Sequence, residues 1–149
     1  TAPENRAIAV NQRRQRVDKV FRPYHHAVGA LLGARSGRSS LLLSIHSFAA
    51  NLGGVRRPWS IGVANRRDRR LADCRIQALR DNHIGPVGDN EPYSIEDTYD
   101  YSLPTDGERR GIAHAMIEIR QDGLRDSSDA RLWAERLTAA SRRAERLLP

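Results

Sequence analysis

Two short and mostly apolar runs, at residues 41–45 and 113–119, constrain the fold of this chain more than any other feature of its sequence. Turn-forming residues flank them, and both are too short to be typical helices, so they are typical of buried β-strands. The segments around them repeat apolar residues at steps of three and four, as helices do. Strands that alternate with helices predict an α/β layered architecture around a mixed, largely parallel sheet.

The other elements follow from the same periodicities. A helix is expected over residues 5–32, kinked or divided by Pro23. Further strands are expected at residues 59–63 and 84–87, and further helices at residues 69–80, 105–110 and 127–148. Residues 88–104 are rich in Gly, Asp, Asn, Pro and Ser, which predicts a long ordered loop of the kind that is often functional.

The length of 149 residues fits a single domain over residues 1–149, or a piece of a larger one. No apolar run approaches the length of a membrane span, and no secretory signal is visible. Cys74 is the only cysteine, which excludes an internal disulfide and an all-cysteine metal cluster. A cytoplasmic protein without a membrane partner is therefore expected.

The cations are almost all arginine, because Lys19 is the sole lysine among 25 basic residues, and the net charge is +7. Such an imbalance is typical of genomic base composition, with arginine contacts to nucleic acid as the alternative. The densest arginine cluster, at residues 66–70, is interrupted by Asp68, and few aromatic residues are present to stack on bases. Nucleic acid is therefore an unfavoured partner.

His46 and Glu118 are the first candidates for chemistry. His46 lies at the carboxyl end of an expected central strand, where open α/β sheets bind ligands, and an imidazole there can hold zinc. Glu118 interrupts an apolar strand, and a buried carboxylate needs a cation, hydrogen bonds or a metal-bound water nearby. The alternatives are an ordinary hydrogen-bonded histidine and a salt bridge from Glu118 to Arg120.

Two further segments offer polar groups. Arg56 and Arg57 precede Pro58, and a guanidinium can bind a carboxylate with two parallel hydrogen bonds. Residues 88–94 form a polar loop with the residue types that fix a turn. Composition alone favours an ordinary turn over a site at residues 88–94, and the arginine pair is equally typical of a solvated turn.

Considered in order, several motifs resemble those of the N-formylglutamate amidohydrolase family. The motifs are Phe21-Arg-Pro-Tyr-His25, Ser44-Ile-His-Ser-Phe48, Arg57-Pro-Trp59, Val87-Gly-Asp-Asn-Glu-Pro-Tyr-Ser94 and Ile117-Glu-Ile-Arg-Gln-Asp122. The resemblance runs over residues 17–133, which is most of the chain. It implies a three-layer α/β/α fold similar to that of zinc carboxypeptidases, with one catalytic Zn²⁺ and a role in histidine catabolism.

The resemblance also implies roles for individual residues. His46 corresponds to a metal-binding histidine, and Glu118 to the glutamate that handles the proton of the attacking water. Arg57, Arg120 and the loop from Asn90 to Tyr93 would hold the carboxylates of the substrate. The implied reaction is the hydrolysis of N-formyl-L-glutamate, or a related N-acyl amino acid, to formate and glutamate.

The sequence departs from the family pattern in two places. The family's first zinc-binding motif, which contains a histidine, is absent upstream of the Arg-Pro-Tyr-His motif, and Asp106 stands where a histidine often occurs. We therefore expect the chain to be the carboxyl-terminal part of a family domain, with a sheet that is incomplete on its N-terminal side and an activity in doubt. The alternatives are a catalytically inactive relative and a basic module that binds nucleic acid or an acidic partner.

Overall fold

The computed structural model describes residues 7–97 and 100–147. The strands in these residues are β1 (Leu41–Phe48), β2 (Asn51–Leu52), β3 (Val55–Arg56), β4 (Ile61–Ala64), β5 (Val87–Asp89) and β6 (Ala113–Arg120). The α-helices are α1 (Val10–Arg16), α2 (Arg22–Gly33), α3 (Arg70–Asp81) and α4 (Ser127–Leu147). None of these helices is both long enough and apolar enough to cross a membrane.

A four-stranded mixed sheet organises the fold in the order β1-β6-β4-β5. β1 and β6 run parallel, β4 and β5 run parallel, and β4 runs antiparallel to β6. Every residue of β6 from 113 to 119 is buried, as a strand with neighbours on both sides and cover on both faces should be. The predicted α/β architecture with a mixed sheet is confirmed.

The main hydrophobic core lies between the sheet and the helices α3 and α4. Its fully buried members include Ile61 and Val63 of β4, Leu71 and Leu79 of α3, and Ile117 of β6. A smaller cluster covers the opposite face and is formed by Ala64, Ile95, Leu103 and Met116. The alternation of side chains along β4 and β6 supplies both clusters, since successive residues of a strand point to opposite faces.

The predicted first helix is continuous instead of broken at Pro23. A π-helical turn, Val17–Phe21, joins α1 to α2, and Pro23 occupies the second position of α2. A helical proline donates no hydrogen bond to residue i−4 and crowds its carbonyl, and here that residue is Lys19, inside the π-helical turn. The predicted start at residue 5 is wrong for residues 7–9, which are not helical, and residues 5 and 6 lie outside the described residues.

Several other boundaries differ from the prediction. β5 begins at Val87 instead of residue 84, because Gly85 has a φ of +109° and Pro86 lacks the N–H that a strand interior needs. β1 extends three residues beyond the apolar run to Phe48, because its ladder with β6 continues. The expected helix at residues 105–110 is a π-helical turn, Leu103–Gly107, followed by a 3₁₀ turn, Glu108–Arg110.

A two-residue turn of Gly53 and Gly54 joins β2 to β3 in a short hairpin. Both glycines have positive φ, +57° and +80°, which the tight turns of two-residue hairpins require. The hairpin ends beside Arg57, whose N–H donates to the carbonyl of Ala50 at 2.9 Å. The hairpin thus determines the position of the Arg57 backbone.

Candidate active site

One row of residues crosses the whole sheet and carries the two candidates for chemistry. His46 of β1 is in register with Glu118 of β6, Glu118 with Gly62 of β4, and Gly62 with Gly88 of β5. Residues in register on neighbouring strands point to the same face. The structure therefore brings the His46 imidazole and the Glu118 carboxylate together on one face of the sheet.

The two glycines of this row let the chain after β5 lie directly on the sheet. A Cβ atom at Gly62 would stand 2.1 Å from the carbonyl oxygen of Glu91, and one at Gly88 would stand 2.3 Å from the same atom. Any side chain at either position would exclude the Glu91–Pro92 backbone. The sequence analysis did not identify this pair, although an isolated glycine in a predicted strand indicates a close backbone approach.

A cavity of about 440 Å³ opens beside this row. It is lined by His46, Met116 and Glu118 from the sheet and by Pro92, Tyr93, Ser94, Glu96 and Asp100 from the chain that follows β5. This volume lies within the range of small-molecule sites, which is roughly 300–1,000 Å³. The predicted functional loop at residues 88–104 therefore supplies one wall of the cavity, and the sheet supplies the other.

Glu118 is buried, with 5% of its surface exposed, and its Oε2 atom has no hydrogen-bond partner among the described residues. Burial raises the pKa of this carboxyl group above its ordinary value, and the charge of Asp100 adds to the effect. His46 and Arg57 act on this pKa in the opposite direction. A raised pKa together with an unsatisfied oxygen in a cavity is typical of a group that takes up a proton during a reaction.

His46 lies at the exposed end of β1, and its Nε2 atom is 2.7 Å from the hydroxyl of Ser44 on the same face of the strand. A hydroxyl can donate to an imidazole nitrogen or accept from it, so this contact orients the ring in either tautomer. The other ring nitrogen, Nδ1, has no hydrogen bond among the described residues. The ring therefore retains one nitrogen for a ligand.

Arg57 is buried to 8% exposure between two aromatic rings, which is unusual for an arginine that follows a surface hairpin. Its guanidinium carbon lies 5.6 Å from the centre of the Phe48 ring and 4.9 Å from that of Tyr93. Its Nη1 also donates to the Tyr93 hydroxyl at 2.9 Å. The two rings fix the plane of the guanidinium and leave its charge close enough to act on Glu118.

Arg120 does not pair with Glu118, so the alternative salt bridge of the sequence analysis is absent. Its Nη1 donates to the carbonyls of Arg57, Pro58 and Trp59 at 3.1, 3.2 and 3.1 Å, and its Nε donates to Asp122 at 2.7 Å. These bonds occupy the guanidinium with the protein's own oxygens. Arg120 holds the segment that carries Arg57.

Asn90 is likewise occupied with the backbone. Its side-chain oxygen accepts from the N–H of Asn65 at 2.8 Å, and its own N–H donates to the carbonyl of Val63 at 3.0 Å. Its φ of +54° is one that asparagine tolerates better than most residues. Asn90 anchors the loop that delivers Tyr93 and does not line the cavity.

The half-buried His25 and the buried Asp106 lie next to each other outside the cavity. His25 Nδ1 and Asp106 Oδ2 are 3.6 Å apart, and within the described residues neither atom has a hydrogen bond. The rings of Phe21, Tyr24 and Tyr101 surround the imidazole with centroids 4.3 to 5.0 Å away. The Arg-Pro-Tyr-His motif thus attaches α2 to the π-helical turn that contains Asp106.

A comparison of the chain with models of known protein families identifies its family. The family model of N-formylglutamate amidohydrolase matches residues 2–125, most of the chain and all of the row from His46 to Glu118. The chain belongs to the N-formylglutamate amidohydrolase family. No curated protein gives a significant match.

Two solved structures resemble this family member. A gene product from Agrobacterium tumefaciens is 28% identical with a TM-score of 0.87, and the match covers 95% of this chain and 57% of that one. N-formylglutamate amidohydrolase from Ralstonia eutropha JMP134 is 23% identical with a TM-score of 0.66, over 96% of this chain and 56% of that one, which shows a shared fold. The chain therefore spans less than two thirds of the length of either structure.

The zinc ion implied by the resemblance does not find a full set of ligands in the part of this family member that the structure describes. Residues 7–97 and 100–147 contain no group of three His, Cys, Asp or Glu side chains placed to hold a metal ion. A catalytic zinc normally takes three protein ligands. His46 supplies one imidazole at the cavity, and the described residues do not complete the site.

Proposed function

We propose that this family member hydrolyses the amide bond of N-formyl-L-glutamate or a related N-acyl amino acid, releasing formate and glutamate. The observation that carries the proposal is the buried, unbonded Glu118 carboxylate in register with His46 at a cavity of small-molecule size. A carboxylate without internal partners is available to a water molecule and a substrate. The match to the family over residues 2–125 supports the substrate class.

Glu118 is proposed as the general base. It takes a proton from the water whose oxygen attacks the formyl carbon, and it returns that proton to the departing amine nitrogen as the carbon–nitrogen bond breaks. Burial favours this role, because a carboxylate with a raised pKa binds the proton more readily than an exposed one. One water is consumed, and formate and glutamate result.

Arg57 does not itself line the cavity but contacts Tyr93, which does, and it is proposed to bind a carboxylate of the substrate beside that ring. Its Nη1 is engaged with Tyr93, and the stacking between Phe48 and Tyr93 fixes the plane of the remaining donors. An oriented guanidinium loses little freedom when it forms a bidentate pair. Asn90 and Arg120, which the sequence analysis assigned to substrate binding, are proposed to act through the loops that they hold.

Zinc remains part of the proposal through His46, the histidine that the cavity offers as a ligand. We assign no step to the metal, because the described residues do not complete its coordination. A cytoplasmic location and a role in histidine catabolism are proposed on the same basis as the substrate. Equilibrium dialysis of the chain and of a His46→Ala variant against Zn²⁺ tests the ligand role, and equal zinc binding by both would exclude it.

The direct test is release of formate from N-formyl-L-glutamate, measured with and without added Zn²⁺. We expect turnover that Glu118→Gln lowers by about 100-fold or more, as loss of a general base does. Glu135→Gln, an exposed change on α4, is the matched control and should leave turnover unchanged. Turnover that survives Glu118→Gln would remove Glu118 from the mechanism.

A second candidate is binding without turnover, and the absence of a three-ligand metal group in the described residues favours it. An inactive relative would retain the Arg57 site and bind N-formyl-L-glutamate without releasing formate. Isothermal titration calorimetry with that compound, run beside the formate assay, separates the two candidates. Saturable binding with no formate at any zinc concentration would support the inactive relative.

A further inference from the structure

A second cavity lies beside the amino ends of β1 and β6, whereas His46 and Glu118 lie near the carboxyl ends of these strands. It measures about 410 Å³ and is enclosed by the end of α2, residues 35–41 and residues 110–113, where β1 and β6 begin. Leu41 lines it, and His46 is five residues further along the same strand, which corresponds to about 17 Å. A small ligand in this cavity would not reach the candidate active site.

The walls of this cavity carry four arginines and no acidic residue. The arginines are Arg35, Arg38, Arg70 and Arg110, and we refer to the cavity as the arginine pocket. Asp68 pairs with Arg70 at 2.6 Å and Asp106 lies 3.7 Å from Arg110, so these two charges are compensated from outside the pocket. Within the described residues, neither Arg35 nor Arg38 lies in an ion pair.

A tight turn places the two uncompensated arginines close together. The N–H of Arg38 donates to the carbonyl of Arg35 at 2.9 Å, and Gly37 has a φ of +76°, which suits the third position of a type II turn. The Cα atoms at the ends of such a turn are less than about 7 Å apart. Both side chains line the pocket, so an anion bound there would lie near two like charges and would reduce the repulsion between them.

Neutral donors surround the same space. Ser36, Ser39 and Ser40 line the pocket. The Ser40 hydroxyl accepts from Arg35 Nε at 3.1 Å, which orients that guanidinium, and donates to the Arg38 carbonyl at 3.3 Å, so Ser36 and Ser39 supply the neutral donors. Arg70 Nη2 is fixed by Asp68 at 2.6 Å and by the carbonyl of Gly111 at 3.1 Å. Hydroxyls and guanidinium groups on several sides of a recess match the tetrahedral oxygens of a phosphate group.

We propose that the arginine pocket binds the phosphate group of a small anionic ligand, at a site separate from the amidohydrolase cavity. Its volume suits a small molecule. No aromatic residue lines it, so it lacks the stacking surface on which proteins hold the bases of single-stranded nucleic acid. These features favour a compact phosphate compound over a single-stranded nucleic acid.

The test is isothermal titration calorimetry of the full chain with inorganic pyrophosphate at low ionic strength. We expect saturable binding with one site per chain, weakened by added salt because the contacts are ionic. Arg38→Gln should weaken the affinity about tenfold or more, and Arg38→Lys should weaken it less, since lysine keeps the charge but loses the fork. Circular dichroism of each variant shows whether it is folded before its affinity is compared.

Arg131→Gln is the matched control, since it removes the same charge from an exposed position on α4 that does not line the pocket. The absence of saturable heat in the unmodified chain would overturn the proposal, as would equal losses of affinity in Arg38→Gln and Arg131→Gln. A 12-base-pair DNA duplex that binds more tightly than pyrophosphate and displaces it would replace the small ligand with nucleic acid. Because formate release does not depend on this pocket, failure here leaves the proposed hydrolase function untouched.

Discussion

At the scale of single residues, the candidate site depends on side chains that hold other residues of the site in place. Arg120 binds three successive carbonyls of residues 57–59 and one carboxylate, Asp122, from the end of β6. It therefore determines where the Arg57 guanidinium stands relative to Glu118. Arg120 would therefore affect binding of the proposed substrate through Arg57.

We expect Arg120→Lys to raise KM for N-formyl-L-glutamate by about tenfold and to change kcat less, because an ammonium cannot reproduce the fork. The loop would remain attached but less fixed, and Arg57 would lose orientation. Arg56→Lys is the control, since Arg56 is exposed and lies 3.8 Å from Asp122 without touching the loop carbonyls. A fall in kcat at constant KM would show that Arg120 acts on the chemical step instead.

The sequence located His46 and Glu118, which are adjacent in the row across the sheet, but not Gly62 and Gly88, which continue it. His46 and Glu118 could be placed at the same end of the sheet because each stands near the carboxyl end of an apolar strand and the two strands were expected to share a sheet. The close backbone contact at Gly62 and Gly88 was not predicted, because a glycine has no side chain whose polarity or periodicity indicates a role. The roles of Arg120 and Asn90 depend on long-range contacts that a single sequence does not contain.

At the scale of elements, the loop at residues 90–94 packs directly against β4, and this contact leaves no room for a side chain at Gly62. We expect Gly62→Ala to cost about 1–3 kcal/mol, as overpacking of a filled interior typically does, because the new methyl group would meet the Glu91 carbonyl. Urea denaturation measures the change. Gly33→Ala, at the end of α2 with nothing within 4 Å of the added Cβ, is the control and should be near neutral.

The pairing of α3 with α4 rests on an unusual buried cation. Arg75 is 0% exposed, and its guanidinium donates to the carbonyl of Leu137 at 3.1 Å and to the hydroxyl of Ser141 at 2.6 Å. Burial lowers the pKa of this arginine, with Glu145 acting in the opposite direction. The two helices are therefore joined by polar contacts inside an otherwise apolar core.

Removing one of these contacts should be costly. We expect Ser141→Ala to lower the free energy of unfolding by about 1–3 kcal/mol, because it leaves one donor of a buried charged group unsatisfied. Thr138→Ala, an exposed hydroxyl deletion on the same helix, should change the free energy of unfolding little. Equal urea midpoints for the two variants would show that Arg75 finds another partner, such as a water.

The elements themselves were more predictable than their ends. The long helices were identified because each repeats one periodicity over several turns, and β1 and β6 because each contains a short apolar run. The π-helical turns at Val17–Phe21 and Leu103–Gly107 were not, since both contain ordinary helical spacing and differ only in hydrogen bonding. Strand ends were set by neighbouring strands, as β1 shows where it follows β6 to Phe48.

At the scale of the whole molecule, the fold separates two kinds of electrostatic site. The carboxyl ends of β1 and β6 lie beside a cavity with a buried carboxylate, and their amino ends lie beside the arginine pocket. Parallel pairing of these two strands makes the separation possible, because it gathers like ends at one edge. The expected incompleteness of the sheet beyond β1 remains a prediction.

The free energy of unfolding should change with pH in opposite directions for two carboxylates, Glu118 and Asp89, because the fold raises the pKa of one and lowers that of the other. The folded state raises the pKa of Glu118 above its ordinary 4.5, mainly by burial. A raised folded pKa gives stability that is fully present below the unfolded value and is lost as the pH rises through the folded one. Glu118→Gln should therefore unfold at a higher urea concentration than the unmodified chain at pH 7, and the difference should shrink toward pH 4.

A substitution of Asp89 is the matched comparison, because the fold lowers the pKa of Asp89 whereas it raises that of Glu118. Its hydrogen bonds from Arg69 lower its pKa below the ordinary 3.8, so the stability that it contributes is present above that value and is lost as the pH falls through the lower folded pKa. Asp89→Asn should thus unfold at a lower urea concentration at pH 7, with the difference shrinking under acid conditions. If Glu118→Gln instead destabilised the protein at pH 7, the ionised carboxylate would be stabilised by the fold. The case for Glu118 as a destabilised general base would then fail.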